Sequence, residues 1–151
     1  MLKKTLAVAL IYFILFSLTA CAPKAEPAAA QPNAWGITLQ AESVTAKGLT
    51  LVCTQSGGEN IVELSTGSFF VIQKHDGGTW SDVPYLAEGD VQWTMEGWLI
   101  PLNDSLSWDI SYEWLYGELP AGDYRIGKEI MNFRGPGDYD EERFYAEFSV
   151  K

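Results

Sequence analysis

Leu119-Pro120-Ala121-Gly122-Asp123-Tyr124 is the stretch on which the fold turns, because it delivers Tyr124 to the start of a strand expected to run to Phe133. Beyond it the chain closes on Arg143 to Val150. There Phe144, Ala146, Phe148 and Val150 share one parity, while Tyr145, Glu147 and Ser149 share the other. A period of two is what a half-buried strand produces. The same period runs upstream. Ile37, Leu39 and Ala41 alternate with polar residues, and a second strand is expected from Gly48 through Thr54, before the turn Ser56-Gly57-Gly58. Ile61 to Leu64 is a short third candidate. Phe69 to Lys74 and Thr79 to Val83 flank His75-Asp76-Gly77-Gly78, a natural hairpin turn. Trp98 to Leu102 and Leu106 to Ile110 are expected to pair around Asn103-Asp104. Glu113 to Gly117 offers one helical turn at most, and no internal repeat is present. Short strands at this spacing predict an all-β antiparallel sandwich of about seven to nine strands.

The stretch around Tyr124 resembles the tyrosine corner of immunoglobulin-like domains. In that motif a tyrosine opens the penultimate strand and its hydroxyl bonds to backbone just upstream. Antibody domains place a cysteine two residues later, where this chain has Ile126; Cys53 occupies a plausible second-strand position. The resemblance therefore implies an apolar pair in place of the disulfide, and a general Ig-like sandwich rather than an antibody-type domain. Three further segments extend the resemblance to the bacterial Ig-like domains of lipoproteins. They are Phe70 to Lys74 leading through Asp76-Gly77 to Trp80 and Val83-Pro84, then Trp114 to Ile126, and finally Phe144 to Phe148. It covers most of residues 36–151. It implies a fold and a location, and brings no catalytic residues with it.

The N-terminus reads differently. Lys3 and Lys4 precede an apolar run from Leu6 to Leu18 broken only by Ser17. That run is shorter than the roughly 20 residues a spanning helix needs. Its order of charge, apolar run and small residue is that of a signal peptide. Leu18-Thr19-Ala20-Cys21 resembles the lipobox of bacterial lipoproteins, which implies cleavage before Cys21 and a diacylglyceryl group on its thiol. Each buried methylene is worth about 0.8 kcal/mol and two acyl chains hold stably. The expected organisation is a leader over 1–20, a lipidated Cys21 with an Ala- and Pro-rich tether over 21–34, and one domain over 35–151. As a Pro-rich chain at about 3.1 Å per residue the tether would reach roughly 40 Å above the bilayer, and as a flexible coil roughly 20 Å. The expected address is the outer face of the cell membrane, with the bilayer itself as the first partner.

With Cys21 carrying lipid, Cys53 has no partner for an intrachain disulfide. Its alternation with Leu49 and Leu51 predicts burial. The net charge of −10 becomes −12 when Lys3 and Lys4 leave with the leader. No basic patch exists to neutralise phosphates, which argues against nucleic acid.

Catalytic sets are hard to assemble. His75 is the single histidine, Asp76 beside it on a strand would point away, and no Gly-x-Ser-x-Gly elbow exists. One His and one buried Cys cannot make a tetrahedral zinc site. Asp138, Asp140 and Glu142 offer alternating oxygen ligands, a weak Ca²⁺ candidate in what reads as a solvated loop. No cofactor is implied.

Six tryptophans invite a ligand platform. Trp108, Ile110, Tyr112 and Trp114 share a parity that predicts core. Trp93 and Trp98, flanking Met95-Glu96-Gly97, are the better candidates for ligand binding. Lys128 breaks the apolar parity of Tyr124, Ile126 and Ile130, and is expected to snorkel at a sheet edge. The functional expectation is a non-catalytic Ig-like module that binds an envelope or extracellular protein. The alternative is an envelope glycan-binding module using Trp93 and Trp98.

Overall fold

A computed structural model describes residues 33–86 and 89–151. The leader, Cys21 and the tether up to residue 32 lie outside the described residues. Ile37 and Leu39 are buried on β1 (Ile37–Glu42), and Leu49, Leu51 and Cys53 on β2 (Gly48–Gln55). Alternation thus gives both strands one apolar face. They pair antiparallel, and β7 (Ser105–Ser111) pairs with the far side of β2, making a three-stranded sheet in the order β1-β2-β7.

The second sheet grows from a long hairpin of β8 (Gly122–Gly135) and β9 (Asp138–Val150). The other edge of β8 is shared. Its first half pairs with β4 (Val71–Asp76) and its second half with β3 (Glu63–Gly67). Outside β4 lies β5 (Thr79–Asp82), and outside β3 lies the three-residue β6 (Gly97–Leu99). The single helical turn α1 (Glu113–Tyr116) follows β7 as expected. The β4–β5 hairpin forms, with Gly77 and Gly78 both at positive φ (56° and 90°), as a two-residue primed turn requires. The nine strands among the described residues, in two antiparallel sheets, are the predicted sandwich.

One apolar core fills the space between the sheets, and Cys53, Leu51, Ile72, Ile126 and Ile130 are fully buried in it. Each of these leucine and isoleucine side chains contributes roughly 1.5–3 kcal/mol on burial. Tyr112 and Tyr124 both stack on Phe148, with centroids 6.2 and 5.7 Å apart. Tyr124 Oη donates to Pro120 O at 2.9 Å, which is the tyrosine-corner bond.

Three expectations are corrected. The third strand is Glu63–Gly67, not Ile61 to Leu64. Asn132, fully buried on β8, accepts from Val62 N and donates to Asn60 O, so side-chain bonds replace a ladder there. The segments around Asn103-Asp104 do not form a hairpin. Ile100 N donates to Leu64 O, while Gln55 Oε1 accepts from Asn103 N and Gln55 N donates to Asp104 O. The chain is thus tied to β3 at one end and to β2 at the other. It crosses between sheets at Pro101 and Asn103, the latter at φ 56°. Finally, Asp138 to Glu142 is not a loop but the first half of β9, and only Pro136 and Gly137 turn the hairpin.

Candidate functional site

The open side of the sandwich, where β6 and β7 are the edge strands of their two sheets, holds a cleft of about 500 Å³. Concave sites of this size bind small ligands or single side-chain groups. Four of the six tryptophans line it. Trp98 comes from β6, Trp108 from β7, Trp114 from α1, and Trp93 from the segment between β5 and β6. They form two T-shaped pairs, Trp93–Trp114 at 5.7 Å and Trp98–Trp108 at 6.3 Å. Trp93 also meets Phe69 and Phe70 edge-on. Edge-to-face packing of this kind is worth about 0.5–1.5 kcal/mol per pair beyond area, and it stiffens the wall.

The polar part of the lining is acidic. Glu96 and Asp109 supply carboxylates and Ser68, Thr94 and Ser111 supply hydroxyls, with no Lys, Arg or His among the lining residues. Ser68 Oγ donates to Thr94 O at 2.7 Å, pinning the Trp93 segment to the turn between β3 and β4. Thr50 Oγ1 donates to Asp109 Oδ1 at 2.8 Å. Met95, between the lining residues Thr94 and Glu96, is fully exposed at the rim, and Trp114 is 54% exposed.

Behind Trp98 and Trp108 lies Lys128, which is buried rather than snorkelling at an edge. Its strand is central to the sheet. β4 leaves β8 at Gly127 and β3 joins it at Met131. In the gap, the turn carbonyls of Gly67 and Phe69 accept from Lys128 Nζ in place of a ladder. The ammonium also lies 5.4 Å from the Trp98 ring and 5.5 Å from the Trp108 ring, within cation–π range. Burial lowers its pKa to about 8. Trp108 Nε1 is buried nearby without a hydrogen-bond partner among the described residues.

The expected ligand candidates Trp93 and Trp98 are therefore brought together in one cleft, both half-buried in its wall. Trp108 and Ile110 are half-buried and line the same cleft, while Tyr112 is fully buried. The core expectation fails for Trp114. The period of two ends at Tyr112, and α1 turns the next tryptophan outward. Glu96 and Asp109 carried no sequence signal, since their partners in the cleft are distant along the chain. The break in parity at Lys128 was the signal for the buried cation behind Trp98 and Trp108.

Elsewhere, His75 is exposed and packs on Trp80 at 4.8 Å, across the β4–β5 hairpin. Arg134 bridges Asp138 and Asp140, both contacts at 2.7 Å. No group of three His, Cys, Asp or Glu side chains among the described residues is placed to hold a metal ion. Cys53 is a buried free thiol whose pKa burial pushes up to about 12, far from a reactive thiolate. No helix among the described residues is long and apolar enough to cross a membrane.

The profile of a family described as a bacterial Ig-like domain matches residues 31–149. No curated protein and no solved structure matches the chain.

Proposed function

The chain belongs to the bacterial Ig-like domain family, and from that premise we propose that it is a lipid-anchored, non-catalytic module that binds a partner protein outside the cytoplasm. The observation that carries the binding role is the cleft itself: four tryptophans and two carboxylates in one cleft, with an exposed methionine and an exposed tryptophan at its rim. Rigid aromatic anchors beside exposed apolar groups are what protein-binding hot spots use. The anchor rests on Leu18-Thr19-Ala20-Cys21 and on the cationic, apolar leader before it.

Two substitutions test the two halves. Cys21→Ser should move the full chain from the membrane fraction to the soluble one; retention in the membrane would remove the lipid anchor from the proposal. Trp93→Ala should abolish crosslinking to a specific envelope protein on intact cells. Unchanged crosslinking would remove the cleft as the binding surface.

A second reading has its own support. Trp93 and Trp98 stand beside the hydroxyls of Ser68 and Thr94, a mix of flat apolar faces and donors that also suits a glycan. Under it, soluble peptidoglycan fragments would shift the indole signals of Trp93 and Trp98, and Trp98→Ala would erase the response.

A further inference from the structure

The free edge of β7 runs along the cleft, and its outward backbone groups are unpaired among the described residues. Tyr112 N donates to Lys47 O and Gln55 N to Asp104 O, which fixes the phase of the β2–β7 ladder. Even-numbered residues of β7 therefore turn their N–H and C=O groups toward β2. Ser107, Asp109 and Ser111 turn theirs outward, and among the described residues no backbone or side-chain bond takes them up. The cleft is lined by Trp108 and Ile110 as well as by Asp109 and Ser111, residues of opposite parity. Both parities line one cleft only where it follows the strand edge. A strand of seven residues with open donors and acceptors, no proline and no lysine is an unprotected template for another strand.

We propose that an extended peptide segment of the partner, alternating basic and apolar residues, adds to β7 as a tenth strand. This rests on the protein-binding reading of the cleft and names its mode. The alternation follows from the two faces of the edge. A side chain of the added strand on the inner face enters the cleft toward Trp93 and Trp98, so it is apolar. Its neighbour lies on the outer face beside Asp109, so it is basic. Charge complementarity selects this class of peptide: the lining offers carboxylates without a cation, on a chain of net charge −10. Main-chain bonds then supply affinity and the alternate side chains supply specificity.

The test is residue-resolved amide exchange on the full chain in detergent micelles, with an acetylated and amidated heptapeptide of alternating lysine and valine as probe. Protection of the Ser107, Asp109 and Ser111 amides should rise at least tenfold at saturation. The Leu106, Trp108 and Ile110 amides, already bonded to β2, should not change. Asp109 is exposed and loses only a surface bond from Thr50, so Asp109→Lys should keep the fold, weaken the lysine peptide at least tenfold and admit its glutamate counterpart. Absent protection, protection on the even-numbered amides, or equal binding of both peptides to wild type would overturn the inference. A chito-oligosaccharide that shifts the Trp93 and Trp98 indoles where the peptide does not would overturn it in favour of the glycan reading. If the peptide fails while Trp93→Ala still abolishes crosslinking on cells, the edge mode falls and the protein-binding role stands.

Discussion

Lys128 and Tyr124 lie on the same face of β8 and make opposite uses of a buried polar group. Tyr124 is almost fully buried and directs one bond to Pro120 O at 2.9 Å. Tyr124→Phe removes the donor and leaves that carbonyl short of a partner. Stability should fall by about 1–2 kcal/mol with an unchanged urea m-value; a loss below about 0.3 kcal/mol would mean that the corner contributes nothing. Lys128 is a cation in the core, at the gap between two strands. Its protonated form is disfavoured in the fold, so its pKa is lowered to about 8, against about 10.4 when unfolded. The unfolded chain therefore binds more protons than the native one across that window. The penalty is fully present below pH 8 and is relieved as pH rises toward 10, so stability from this residue increases with pH. The Cys53 thiol, raised to about 12 by burial, opposes it once unfolded thiols ionise. Comparison with Lys128→Met at each pH subtracts that term. Wild type should gain on the variant by about 1 kcal/mol per pH unit between pH 8 and 10; a flat difference would show that the two carbonyls and two indole rings fully compensate burial.

Elements were legible in the sequence wherever one face met the core and the turn chemistry was local. The β4–β5 hairpin is the clearest case, because Asp76-Gly77-Gly78-Thr79 carries its turn within four residues. β6 and β7 were not legible as members of different sheets. The bonds that separate them come from Leu64 and Gln55, tens of residues away. The half of β9 over Asp138 to Glu142 was hidden for another reason. It lies in the long arm of the hairpin beyond the core, so its residues are exposed and show no apolar period. The cleft was legible in part: the cluster of tryptophans signalled a shared aromatic surface, but its fourth member, Trp114, is set by helix α1, which has no period of two to reveal it. The start of β1 gives the element-scale prediction. Gly36 has φ +64°, and a Cβ there would stand 2.2 Å from Ser56 O, a backbone atom that cannot swing aside. Ser56 N donates to Gly36 O at 2.9 Å, so the contact holds β1 against the end of β2. Gly36→Ala should cost about 3 kcal/mol or more through strain and a displaced strand. A chemical melt within 1 kcal/mol of wild type would show that the segment before Ile37 moves freely.

At the scale of the molecule, the two sheets are held by apolar packing without a disulfide among the described residues. The position two residues after the corner tyrosine holds Ile126, and both Ile126 and Cys53 are fully buried in the single core. Stability of a domain this size is about 5–15 kcal/mol, and truncating one such isoleucine costs about 2–5. Ile126→Ala should therefore leave a domain near its threshold, whereas reduction should leave wild type untouched. The tryptophans report the whole fold: Trp35 packs on Phe144 at 5.8 Å, Trp80 lies on the β4–β5 hairpin, and the other four line the cleft. Their fluorescence and the far-ultraviolet circular dichroism should give one coincident urea transition, identical with and without dithiothreitol. Ile126→Ala should shift both probes together to lower urea. A midpoint that falls on adding reductant would mean that Cys53 is cross-linked rather than free. Two separated transitions would mean that the cleft wall unfolds apart from the core, and the T-shaped tryptophan pairs would then not be part of the cooperative unit.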